Sequence, residues 1–188
     1  ILLTWISMFF GTSFVQIMPI FADILHSGER GYGLLISATG LGSVAGNLFI
    51  SHFQQSRRLG LLMLSCAALA PFSLAGFSLV TGTLTNAAGA FWLACFFAVL
   101  ASAFSSVFLV SSMTVLQLKV PDNLRGRVMG IHSITFSMIA LGGLAIGALA
   151  TKFSAPVAVV IGAVVVLSSL IWVTIRQGEI TNLDGSEL

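Results

Sequence analysis

AFWLACFFAVLASAFSSVFLVSSMTVLQL, Ala90–Leu118, runs without one charged side chain. KVPDNLRGRVMG, Lys119–Gly130, follows at once and brings Lys119, Asp122, Arg125 and Arg127 together. A helix needs about 20 apolar residues to cross about 30 Å of hydrocarbon, and the first stretch exceeds that. Its apolar residues are continuous rather than alternating, which disfavours a strand. A helix also satisfies its own backbone groups where no water can. The pair therefore reads as a membrane-spanning helix that ends in a polar loop.

The rest of the chain repeats the pattern. The 188 residues carry eight Lys+Arg and six Asp+Glu, 57% of them are hydrophobic, and only 7% are charged. Mean hydropathy is +1.05. Soluble domains carry about 25% charged residues, so no water-facing surface can be built from this composition, and the lipid bilayer is the expected partner. A net charge of +2 gives no basis for nucleic acid as a partner. The fold class that follows is an all-α membrane protein of six transmembrane helices, over about 1–25, 32–53, 59–79, 90–118, 127–150 and 153–176. The links are short, so sequential helices are expected to be antiparallel neighbours. Residues 177–188, QGEITNLDGSEL, read as a disordered polar tail.

Basic residues orient the bundle. Arg57, Arg58, Lys119, Arg125, Arg127 and Arg176 fall at one set of helix ends, against Arg30 and Lys152 at the other. The positive-inside rule puts the first set in the cytoplasm, so both chain ends are expected there. The chain opens on ILLTW with neither Met nor a charged n-region. It reads as a fragment lacking an N-terminal part rather than as a signal peptide.

Enzyme chemistry is poorly served. Ser13 in GTSF and Ser43 in GLGSVAG lack the G-x-S-G setting of an intramembrane protease, and His26, His52 and His132 have no nucleophile arranged beside them. No His, Cys, Asp or Glu cluster has metal-ligand spacing, and no Gly-Lys-Ser/Thr phosphate loop exists. Cys66 and Cys95 are isolated mid-helix. No catalytic residue, metal or cofactor is expected.

Small and polar residues inside the helices carry the remaining information. Gly42 with Gly46, and Gly143 with Gly147, form small-xxx-small pairs that suit close helix packing. Thr12, Ser13 and Gln16 share a face of the first helix, and Gln16 falls near mid-membrane, where an unpaired amide is costly. Ser102, Ser105, Ser106 and Ser112 form a hydroxyl stripe on the fourth. Thr12, Gln16, Ser105 and Ser112 are the candidate substrate-cavity residues, with interhelical hydrogen bonding as the competing role. Pro19 is expected to kink the first helix. In the loop, Pro121 stops one helix, Asp122 or Asn123 can cap the next, and Gly126 permits a turn or close approach. Arg125 and Arg127 either anchor the membrane face or form a cytoplasmic gate. His132, a turn into the fifth helix, is expected to be packed or hydrogen-bonded.

PIFADILHSGERGYGLLISATGLGSVAGN, Pro19–Asn47, and VPDNLRGRVMGIHSITF, Val120–Phe136, resemble the C-terminal half of a major facilitator superfamily transporter. Within that superfamily the chain is similar to the prokaryotic drug and siderophore exporters of the macrolide-efflux and enterobactin-exporter group. The resemblance implies an inner-membrane antiporter, with a second six-helix half completing a central path for a small-molecule substrate. It implies export by alternating access, coupled to protons. It also implies that the first, second, fourth and fifth helices flank that path and the third and sixth face lipid. One departure stands out. The family's Gly-x-x-x-Asp-Arg-x-Gly-Arg-Arg loop is represented by GNLFISHFQQSRRLG, Gly46–Gly60, in which the acidic residue is absent. The alternative from another class is a non-transporting membrane assembly or sensor module.

Overall fold

The computed structural model describes residues 2–53, 59–85 and 89–176. The side chains of Leu2, Phe53, Leu59, Leu118, Lys119, Asp122 and Arg125 fall outside that description, as do Arg57, Arg58 and the tail 177–188. Among the described residues every element is helical, and six spans are long and apolar enough to cross a bilayer. We label them α1 (Leu3–Ile24), α2 (Gly28–Phe53), α3 (Leu59–Thr83), α4 (Ala90–Lys119), α5 (Asp122–Lys152) and α6 (Ala155–Arg176).

Most ends lie within a turn or so of the sequence-based expectation, and the differences have local causes. α2 starts at Gly28 rather than 32, because His26 and Gly28 both take positive φ and turn the chain sharply. Glu29 then sits in the first turn, where its carboxylate complements the helix dipole. α5 starts at Asp122 rather than 127. Val120 is extended, which ends α4, and Pro121 is its neighbour in the N-cap position of α5. Pro121 thus holds the N-cap position expected of Asp122 or Asn123, and it has no side chain that can cap.

α1 is the irregular span. After a single α-helical stretch, Leu2–Ile6, it runs as a π-helix over Ser7–Thr12 and a 3-10 helix over Ser13–Ile17, then as an α-helix over Met18–Ile24. Pro19 explains the 3-10 segment. It has no N–H for the carbonyl of Val15, four residues back. The Met18 N–H bonds Val15 O instead, which is the tighter three-residue spacing. Pro19 itself occupies the first turn of the final α segment, where a missing N–H costs nothing. The distortion expected at Pro19 thus lies on its N-terminal side. In the π stretch, Thr12 Oγ1 donates to Met8 O at 3.0 Å, and Ser13 Oγ lies 3.1 Å from the same carbonyl.

The helices close into a ring in the order α1, α5, α6, α3, α4, α2 and back to α1. α1 also reaches inward to α6, α3 and α4. This order corrects the expectation that each helix packs on its successor. α4 makes its broad contacts with α2 and α3, while α5 packs on α1 and α6. The link of Val120–Pro121 therefore crosses the end of the bundle rather than closing a hairpin.

Two apolar cores fill the ring. The one away from the basic ends is aromatic at its centre: the Phe77 ring meets Phe21 edge-on at 4.8 Å and Phe14 at 5.9 Å, among Met18, Leu35 and Leu74. The other, at the basic end, gathers Leu3, Ile50, Met63, Cys66, Val107, Phe108 and Leu170. Anchors mark both membrane faces. The Arg176 guanidinium lies 5.4 Å from the Trp172 ring and the Lys152 ammonium 5.7 Å from Phe153.

The tightest crossing joins α2 and α4. A Cβ on Gly42 would strike the Val99 carbonyl, and one on Gly46 would lie 2.5 Å from the Ala103 carbonyl. The same seam carries hydrogen bonds from Ser102 Oγ to Thr39 O and from Ser106 Oγ to Asn47 Oδ1, each 2.7 Å. Two backbones this close leave no room for a methyl group. Gly46→Ala should destabilise by about 1–3 kcal/mol, the usual cost of overpacking. Gly33→Ala, with open space beside it, should be neutral or better. Thermal unfolding in detergent reads the difference, and equal melting temperatures would contradict a backbone-to-backbone seam.

Candidate functional site

The expected substrate-cavity residues do not gather in one cleft. Thr12 and Ser105 do meet, with Ser7, Met8, Pro71 and Phe108, around a cavity of about 20 Å³ between α1, α3 and α4. It has room for about one water. It lies where the π stretch of α1 faces Pro71, the proline inside α3. Ser112 is elsewhere: its hydroxyl shares a 2.9 Å hydrogen bond with that of Thr4, which ties α4 to the start of α1. The hydroxyl stripe of α4 thus divides by partner. Ser102 and Ser106 bond α2, Ser112 bonds α1, and Ser105 borders the internal cavity.

Gln16 stands apart from these three. It is exposed, and its side chain rests on Gly143 of α5. Exposed Pro19, Ile20 and Asp23 continue the stripe along α1. α2 and α5 flank α1 in the ring, so this stripe lies along the middle of one side of the bundle. α5 is the least buried span, and its exposed Ile131, Ile134, Leu141 and Leu144 belong to that half-covered helix, as Leu41, Val44 and Leu48 belong to α2. An amide displayed at this depth cannot be left to hydrocarbon without a cost of several kcal/mol. The α2–α1–α5 side is therefore the candidate functional face, with Gln16 as its polar centre.

The seam that holds α1 against α5 was only partly visible in the glycine spacing. The close approach falls on Gly142 and Gly143. A Cβ on Gly142 would strike the Phe9 carbonyl and the Ser13 hydroxyl, and one on Gly143 would lie 2.8 Å from Gln16 Cγ. Ser13, wholly buried, reaches Ile139 O at 3.1 Å as well as Met8 O, so one proton is shared between its own helix and α5. Gly147, expected to pack, has open space beside it. Gly142 was not singled out in the sequence, and Ser13 was placed on the Thr12–Gln16 face without its partner on α5. The only signal for them was a GTS triplet and a double glycine, neither of which names the other.

The loop residues divide similarly. Pro121 O accepts the Leu124 N–H at 2.9 Å, which closes the first turn of α5. Gly126 lies inside that helix with open space around it, so neither a turn nor a close approach requires it. Arg127 is exposed; the side chains of Asp122 and Arg125 lie outside the described residues. A larger open cleft, about 530 Å³, lies at the opposite end between α1, α3 and α6. Two of its buried hydroxyls are already engaged within the protein, Ser78 Oγ with Pro156 O and Thr81 Oγ1 with Phe77 O. Among the described residues no group of His, Cys, Asp and Glu could hold a metal ion.

The geometry separates two glycines that look alike in sequence. Gly142→Val should weaken the bundle by about 1–3 kcal/mol because it displaces α1 backbone. Gly147→Val should leave the melting temperature unchanged or raised. Equal losses in a thermal scan would refute the assigned seam.

A family model described as Major Facilitator Superfamily matches residues 1–187. No curated protein and no solved structure matches the chain.

Proposed function

The chain belongs to the major facilitator superfamily, a family of membrane transporters of small molecules, and from that premise we propose that it forms one six-helix half of an exporter. The observation that carries this reading is Gln16. A half-bundle that stood alone in lipid would gain by burying that amide or replacing it. Displayed between α2 and α5, it suits a surface that faces a second half across a substrate path.

The finer points follow from the same face. The path wall is made mostly of aliphatic side chains with one amide, which suits a lipophilic or large neutral compound such as a drug or siderophore. In the ring the side away from α1 is made of α6, α3 and α4, which is compatible with α3 and α6 facing lipid and sets α4, expected beside the path, off the α2–α1–α5 face. The basic residues argue for both ends in the cytoplasm of a prokaryotic cell, with the protein in its inner membrane. Movement would be alternating access, with protons as the coupling ion.

Arg125 and Arg127 open α5 at the basic end, beside the candidate face. In the gate reading they hold acidic groups or helix C-termini of the other half when the cytoplasmic side is closed. The guanidinium fork gives directed, paired hydrogen bonds that an ammonium does not.

Two measurements on the full-length protein in proteoliposomes test these assignments. Gln16→Leu should insert and melt normally, since the side chain is exposed, while substrate-dependent flux falls. Unchanged flux would remove Gln16 from the path. The double variant Arg125→Lys and Arg127→Lys should insert normally yet lose export. A charge-assisted bond made in only one state is worth about 1.5–3 kcal/mol, which is roughly tenfold or more in the ratio of states. Full export by the Lys variant would leave the arginines as simple anchors.

A further inference from the structure

The α1–α5 seam has a second half that its contacts leave unsettled. Ser13 meets Ile139 O, and both helices run outward from the basic end. Trp5 lies about two turns before Ser13 on α1, through the π stretch, and on α5 Thr135 and His132 lie about one and two turns before Ile139. His132 is 2% exposed and Thr135 is 0% exposed, and they continue the narrow buried stripe of α5 that includes Gly142 and Ile146. Nδ1 and Nε2 of His132, Oγ1 of Thr135 and Nε1 of Trp5 are all buried, and no protein atom hydrogen-bonds any of them. The packed imidazole expected from sequence is packed, but it is not hydrogen-bonded.

One such orphan costs about 1–3 kcal/mol, and these share one seam. A neutral imidazole needs one donor and one acceptor, a threonine hydroxyl can be either, and an indole N–H only donates. Their common complement is a small neutral molecule that both donates and accepts. Charged ligands are disfavoured. On the elements packed against α5, the charged groups described are Asp23, at the far end of α1, and Arg176, at the near end of α6. On α5 itself, Arg127 lies more than a turn before His132 and exposed, Asp122 and Arg125 lie still earlier with side chains outside the described residues, and Lys152 lies at the opposite end.

We infer that His132, Thr135 and Trp5 form an internal water-binding site on the basic-end half of the α1–α5 seam. Buried waters make about three hydrogen bonds, which these groups supply. The site stands independently of the direction or substrate of transport.

Hydroxyl-radical footprinting of the full-length protein in nanodiscs, with radicals generated from water itself, tests the binding. Normalised for intrinsic reactivity, His132 should be oxidised several-fold faster than Phe14 and Phe21, which are equally enclosed but apolar in setting. Thr135→Val, nearly the same shape, should lower His132 oxidation several-fold and leave exposed Trp172 unchanged. Oxidation of His132 at the rate of the two phenylalanines would overturn the site. So would a Thr135→Val protein with unaltered His132 oxidation.

Discussion

Every carbonyl and amide in a membrane span must find its partner inside the protein, because the hydrocarbon offers none. α1 shows how far this constraint reaches. Pro19 removes one amide, and Met18 moves in to serve the carbonyl that Pro19 cannot. The chain tightens to a 3-10 turn there and widens to a π stretch before it. Thr12 and Ser13 turn their hydroxyls onto Met8 O within that stretch. The irregular span thus draws on its own short polar side chains for one of its carbonyls, and it is the same span that touches all the others in the ring.

With the hydrophobic effect absent between helices, shape and hydrogen bonds decide how they associate. The two close seams use different means. α2 and α4 meet backbone to backbone at Gly42 and Gly46, with serine bonds beside them. α1 and α5 meet at Gly142, with Ser13 shared between them. Each arrangement places a hydroxyl next to a glycine, so closeness and polarity reinforce one another. The aromatic group of Phe14, Phe21 and Phe77 then centres the apolar core away from the basic ends.

Function, in this reading, sits where packing is incomplete. Gln16 is exposed on the side where α5 is barely covered, and His132 is enclosed without a protein partner. The two lie on the same pair of helices, one on the outer face and one inside the seam. A transporter half needs a surface that engages a moving partner and an interior that stays bonded as it moves. The α1–α5 pair presents both demands at once.

The six spans, their helical class and the uneven distribution of basic residues were determined by sequence alone, because hydropathy and length are properties of contiguous residues. Pro19 was legible as a disturbance for the same reason. Ring order was not: α4 and α5 are joined by Val120 and Pro121 yet pack on different helices. Nor was the choice of Gly142 over Gly147, or the pairing of Ser112 with Thr4 and of Ser13 with Ile139. Those depend on the crossing depth and rotation of helices more than a hundred residues apart, where a shift of one residue turns a side chain about 100° around its axis. The tertiary structure settled them, since only the joint packing of all six helices fixes which glycine finds a backbone, which hydroxyl a carbonyl, and which amide the open face.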